Sequence, residues 1–147
     1  MNVIYLDTSA AAKLILEEPE SAGVADALTA HTDDGGELIS SALLHTELSR
    51  VAFRAGVPQH HVDMLTDMIN LVAVTQPILE RAAAFRIHIR TLDAIHLASA
   101  QALTSLRPAV LTFDKQMRTA AQALKLPIAQ YTAGPAGRPG VIMTIGT

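Results

Sequence analysis

An α/β fold, a parallel β-sheet with helices on both faces, is what the sequence predicts, and three observations predict it. Short apolar runs alternate with amphipathic helical stretches along the chain. The strand runs are continuously apolar, as in strands buried on both faces, not alternating as in a half-exposed sheet. The chain has 147 residues, half of them hydrophobic, which makes one domain with ample apolar mass for a layered core. A sheet of four to five strands is expected within residues 1–131, and residues 132–147 form a Gly/Pro-rich C-terminal tail.

The elements follow in order. Val3-Ile4-Tyr5-Leu6 is short, apolar and rich in β-formers, and Asp7-Thr8-Ser9 closes it while offering a helix N-cap. A helix over residues 10–16 ends before Pro19. Residues 21–32 read as a second helix, with Val24, Ala25 and Leu28 on one face. The loop over residues 32–36 leads into a buried strand at Leu38-Ile39-Ser40. A helix beginning at Ser41 or Ala42 runs through Leu44, Leu48 and Val51 to Ala55, where Gly56 and Pro58 stop it. Residues 58–69 form another amphipathic helix and residues 71–74 a third strand. Helices are predicted over residues 77–88 and, behind a Thr91 cap, over residues 91–103. Val110-Leu111-Thr112-Phe113 is the fourth strand, ending at Asp114; residues 115–124 are helical and residues 128–131 read as a fifth strand. In the tail, the Gly- and Pro-rich stretch over residues 134–140 precedes apolar Val141-Ile142-Met143. Two readings stay open there: a disordered end, or an extra edge strand or oligomer contact.

Composition narrows the function. Eleven Lys and Arg against fourteen Asp and Glu give a net charge of −3, which excludes a generically basic nucleic-acid coat or membrane-surface protein. The absence of cysteine excludes a disulfide framework, an iron–sulfur cluster, a thiolate zinc site and a cysteine nucleophile. MNVIYLDTSA lacks the basic start and long apolar run of a signal peptide, and no uncharged apolar stretch is long enough to span a bilayer. A soluble, cytoplasmic protein is therefore expected, with no membrane partner.

Four acids stand in apolar surroundings. Asp7 and Asp114 each end an apolar strand run, at the carboxyl rim where open parallel sheets bind ligands. Glu47 in A-L-L-H-T-E-L-S-R and Asp93 in T-L-D-A-I-H-L-A lie in apolar helical stretches. Singly, each has a bland explanation: Asp7 and Asp114 as helix caps, Asp93 as a complement to the helix dipole, Glu47 as an i,i+3 partner of Arg50. Together they are harder to dismiss, because burying unpaired carboxylates is expensive. Two carboxylates about 4 Å apart repel by about 4 kcal/mol at an effective dielectric of 20. Converging acids must either take up protons or hold a cation, and oxygen ligands alone select a hard ion, Mg²⁺ or Mn²⁺. Such an ion suits phosphoryl chemistry.

Asp7-Thr8-Ser9-Ala10, Glu47 in H-T-E-L-S-R, Asp93 in L-D-A-I-H-L-A and Asp114 in T-F-D together resemble the PIN-domain ribonucleases, most closely the VapC-type toxins of bacterial and archaeal toxin–antitoxin pairs. The resemblance spans residues 1–131. It implies an α/β/α sandwich around a parallel sheet and a Mg²⁺- or Mn²⁺-dependent endoribonuclease that cleaves tRNA or ribosomal RNA and so stops translation. It implies that Asp7, Glu47, Asp93 and Asp114 are the catalytic, metal-holding acids and that Ser9 supports them. It further implies a cognate antitoxin that blocks the acidic site, often through a basic side chain. Where some relatives carry another acid, this chain has Gln116, which implies one firmly held ion and a second recruited by RNA phosphate.

Arg50 and Arg54, and Arg86 and Arg90, are spaced as single helical turns near these acids and are candidates for holding RNA phosphates, with solvated ion-paired faces as the alternative. Lys13 is a further RNA-binding candidate, against an i,i+4 pair with Glu17. His96, one turn after Asp93 on an apolar helix, reads as a core or supporting histidine before a metal ligand. The low aromatic content and apolar helix surfaces point to a homodimer and an antitoxin groove. The competing class is a catalytically inactive PIN-like RNA- or protein-binding module in which the acids are structural.

Overall fold

β1 (Val3–Leu6) lies at the centre of the sheet because all four of its residues are apolar and both of its faces are covered. The computed structural model describes residues 2–136 and 138–145; Met1, Gly137, Gly146 and Thr147, the last three part of the predicted tail, lie outside the described residues. β1 pairs in parallel with β2 (Glu37–Ser41) on one side and β4 (Ala109–Leu111) on the other. β3 (Asn70–Val72) extends the sheet beyond β2, and β5 (Ile128–Thr132) extends it beyond β4, both in parallel. β6 (Val141–Ile145) closes the far edge antiparallel to β5, giving the order β3-β2-β1-β4-β5-β6. The sheet thus has six strands where four to five were expected, and the additional one answers the open question of the tail in favour of an edge strand.

Strand side chains point alternately to opposite faces, so β1 feeds two cores. Ile4 and Leu6 pack under α1 (Thr8–Ala12), α2 (Ser21–Asp33), α3 (Leu43–Ala55) and α4 (Gln59–Asp67), through Ala10, Val24, Leu28, Leu44, Leu48 and Val62. Val3 and Tyr5 pack under α6 (Thr91–Ala102) and α7 (Lys115–Ala123), through Leu97, Ala100, Met117 and Ala121. α5 (Gln76–Ala84) docks on α6 with Ile78 against Ile95 and Ala98. The result is an α/β/α sandwich.

Three predicted helices differ from the observed ones. α1 stops at Ala12, after which Lys13 and Leu14 bond to carbonyls three residues back and the chain turns inward on Ile15. α5 stops at Ala84, and Phe85 takes an extended backbone. From there Phe85, Ile87 and Ile89 pack on the second core while Arg86, His88 and Arg90 face outward, a period of two that belongs to extended chain. Arg86 and Arg90 are therefore not successive turns of one helix. α6 has Arg90, not Thr91, at its N-cap position, with no side-chain cap bond. The stop of α3 is as expected: Gly56 is left-handed at φ 73°, a conformation open to glycine without steric cost.

Candidate active site

The chain runs from β1 outward to β2 and β3, then returns to the other side of β1 through β4, so β1 and β4 flank the point where strand order reverses. Crevices at the carboxyl ends of strands at such a point are where open α/β sheets bind ligands. A cavity of about 460 Å³ opens there, lined by Asp7, Thr8, Ser9, Glu47, Arg90, Asp93 and Asp114 among others. All four acids singled out by the sequence, from four separated segments, face one hollow.

Asp7 sits one step past the Leu6–Leu111 pairing of β1 and β4, beside Thr112. It is 4% exposed and caps α1, its Oδ1 accepting from the Ala10 amide at 2.9 Å and from Ser9 Oγ at 2.7 Å. Its Oδ2 accepts from Thr112 Oγ1. Ser9 Oγ accepts in turn from the Phe113 amide at 2.8 Å, and Thr112 Oγ1 from the Asp114 amide at 3.1 Å. The two hydroxyls thus relay backbone N–H groups of the β4–α7 turn to the Asp7 carboxylate. Burial pushes the Asp7 carboxyl above its ordinary value, against the opposing pull of its bonds to Thr112, Ala10 and Ser9.

Glu47 reaches the hollow from α3 and is held by His96 of α6, whose Nε2 lies 2.6 Å from Glu47 Oε1. His96 is 1% exposed, and its Nδ1 lies 2.8 Å from the Tyr5 hydroxyl. Burial raises the Tyr5 hydroxyl far above its ordinary value, so it keeps its proton. An ionised carboxylate only accepts, so in the short bond to Glu47 it is Nε2–H of His96 that donates. Burial acts to raise the Glu47 carboxyl, but the bond and charge of His96, with Thr8 and Arg90, outweigh it and leave the group below its ordinary value.

Asp93 lies in the first turn of α6, and Asp114 caps α7 with its Oδ1, which accepts from the Gln116 and Met117 amides at 2.8 and 3.1 Å. Each remaining Oδ2 meets Arg90: Nε is 3.1 Å from Asp93 and Nη2 is 3.4 Å from Asp114. Asp7 and Asp114 are therefore caps and cavity residues at once, and the cap explanation and the site explanation do not compete.

The basic candidates separate. Arg90 lines the cavity; Arg50, Arg54 and Lys13 are not among its lining residues. Arg50 lies over the Phe53 ring at 5.3 Å, and Arg54 stands exposed in the last turn of α3. Lys13 pairs with Glu20 at 3.1 Å and Glu18 at 3.4 Å instead of Glu17, because α1 ends before it and an i,i+4 helical pair cannot form. Sequence reasoning did not assign roles to Thr8, Thr112 or Tyr5. Thr112 carried a usable signal, a hydroxyl interrupting a buried apolar run two residues before an acid; Tyr5 carried none, since a buried strand tyrosine looks like any core aromatic.

The donor set is all oxygen, as a hard divalent ion requires, and the hollow is roomy enough to keep water on that ion. Among the described residues, no three acid or histidine side chains are gathered closely enough to hold a metal together. The arrangement fits an ion bound by one or two carboxylates and otherwise by water, the usual habit of Mg²⁺.

The family model for the PIN domain matches residues 4–123. Ribonuclease VapC35 of Mycobacterium tuberculosis is 42% identical over 133 residues, covering 86% of this chain and 95% of that protein. Ribonuclease VapC47 of the same species is 35% identical over 118 residues, covering 78% and 87%. Among solved structures, M. tuberculosis VapC20, a Sarcin-Ricin loop cleaving toxin, superposes with a TM-score of 0.64 at 15% identity, over 80% of this chain and 94% of that one. A toxin–antitoxin complex from Klebsiella pneumoniae gives 0.57 at 22% identity, over 76% and 86%. Both structural likenesses are of fold.

Proposed function

The chain belongs to the PIN-domain family, in its VapC group, and from that premise we propose that it is a metal-dependent endoribonuclease toxin held in check by a cognate antitoxin. The observation that carries this reading is the meeting of Asp7, Glu47, Asp93 and Asp114 in one cavity at the strand-order reversal. These acids would hold Mg²⁺ or Mn²⁺, directly or through water. Bound there, the ion would supply positive charge against the scissile phosphate and a lowered pKa for the attacking water. The chain's own part is positioning: Ser9 and Thr112 fix both Asp7 oxygens, His96 fixes Glu47, and no side-chain nucleophile is needed. Arg90, at the cavity rim, is the basic residue best placed to meet an RNA phosphate. The substrate is RNA of the tRNA or ribosomal class, with arrest of translation as the consequence.

The test is cleavage of RNA by the metal-loaded wild type and by Asp7→Asn, with analysis of the new ends. Cleavage by the wild type alone, giving 5′-phosphate and 3′-hydroxyl ends, supports the reading; a 2′,3′-cyclic phosphate rules out the route. One observation favours the competing reading of an inactive binding module: Arg90 already pairs with two of the acids. Equal behaviour of wild type and Asp7→Asn with every RNA and divalent ion decides for that module. We also propose a homodimer, supported by the exposed Phe53, Met64 and Met68 side chains on and beside α3 and α4. A monomer by light scattering at high micromolar concentration contradicts it.

A further inference from the structure

We propose that Arg90 is a tethered stand-in for the divalent ion: its guanidinium clasps Asp93 and Asp114 and must swing out when the ion binds. This rests on the reading of the acids as an ion site and adds a competitor encoded in the chain itself.

One guanidinium bridges carboxylates carried by two different helices, with Nε on Asp93 Oδ2 and Nη2 on Asp114 Oδ2. Without a cation these groups would face each other, Glu47 and Asp7 across a single hollow. The sequence posed that repulsion as a choice between protons and a metal; the fold offers a third answer, an arginine. The fork occupies one oxygen of each carboxylate, at 3.1 and 3.4 Å, and an ion taking those same oxygens at about 2.0–2.1 Å would leave no place for the guanidinium.

The clasp is built to open. The Arg90 side chain is 74% exposed, while those of Asp93 and Asp114 are 19% and 30% exposed, so the cation moves into water and the anions stay. Arg90 is the last residue of the extended stretch before α6, and the bonds found for its side chain are these two. Exposed ion pairs are weak, which makes the competition several-fold, not absolute.

The test uses the full chain, stripped of metal and titrated with Mn²⁺ by calorimetry at low ionic strength, as wild type, Arg90→Gln and Arg54→Gln. Arg90→Gln should bind Mn²⁺ threefold to tenfold tighter than wild type, and Arg54→Gln, which removes an equal charge outside the cavity, should bind like wild type. Equal or weaker binding by Arg90→Gln overturns the proposal while leaving the ion site standing. Absence of binding by wild type and Arg90→Gln alike removes the ion site, and the proposal with it. A measurement on the wild type stands should the variant not fold: the Arg90 Nε–H resonance should move during a Mg²⁺ titration with the midpoint of ion binding. A resonance unmoved at saturating Mg²⁺ overturns the proposal.

Discussion

Asp7 and Glu47 are both acids of the same hollow, yet their surroundings push them in opposite directions. Asp7 is raised by burial, so the folded state binds its proton more readily than the unfolded chain does, and metal-free stability falls as pH rises from the ordinary aspartate value through the raised one. Asp7→Asn keeps the cap acceptor for the Ala10 amide and removes the buried charge. The metal-free variant should be at least as stable as wild type above that window, with the gap closing toward pH 3, while Mn²⁺ binding is lost. Thermal unfolding followed from pH 3 to 8 checks the sign, and a variant that loses stability as pH rises contradicts it. Glu47 is the reverse case. Burial acts to raise it, but the His96 bond and charge lower it overall, so its contribution is present above the ordinary glutamate value and fades as pH falls through the depressed one. His96→Ala strands Glu47 and the Tyr5 hydroxyl in buried surroundings and should cost about 2–4 kcal/mol. Carboxyl NMR should show Glu47 titrating higher in that variant. In His96→Gln, whose amide can donate to Glu47 while its oxygen accepts from Tyr5, both effects should partly reverse. Much of this was legible from sequence, because an acid that ends a buried apolar run is conspicuous. What binds each acid was not, since Thr112 and His96 lie 105 and 49 positions from their partners and only the fold brings them near.

At the scale of elements, the alternation of apolar runs and amphipathic stretches was enough to place every strand of the parallel sheet and every major helix. The misplaced end of α5 has its physical origin in a local pattern read with the wrong period. F-R-I-H-I-R, at residues 85–90, alternates apolar and polar, and the chain there is extended, which is what carries Arg90 to the cavity rim. The joint between α2 and the sheet edge was also invisible. Gly23, inside α2, and Gly140, just before β6, face the ring of Tyr131 on β5, and a Cβ at either position would overlap its hydroxyl. In an exposed helix Gly→Ala gains about 1 kcal/mol. Here Gly23→Ala should instead destabilise by about 1–2 kcal/mol, the range for overpacking. Tyr131→Phe removes the atom in the way, so the same substitution in that background should be markedly less harmful. Chemical denaturation of the four proteins of this cycle measures the coupling, and additive effects would sink the account.

The whole molecule divides into a half that carries the acidic cavity and a bracing edge. Every acid of the cavity comes from the β1–α1 junction, α3, the start of α6 or the β4–α7 turn, whereas β6 lies at the far edge beyond β5. The matched PIN segment ends at residue 123, before β5 and β6 begin. β6 nevertheless pairs with β5 over five residue positions and lends Ile142 to the core beneath α2. It also exposes Val141, Met143 and Ile145, an arrangement in which one face packs and the other meets solvent or a partner. Removing residues 133–147 should therefore weaken the fold without touching the chemistry. The lost ladder bonds and the part-burial of Ile142 amount to about 2–3 kcal/mol. The truncated chain should unfold at lower denaturant, and its newly bare β5 edge should make it associate at high concentration. Its Mn²⁺ titration should match that of the full chain when both are measured well below the unfolding transition. Parallel loss of stability and ion binding would mean that the edge strand reaches the acidic hollow through the sheet, and that the division between bracing and chemistry is wrong.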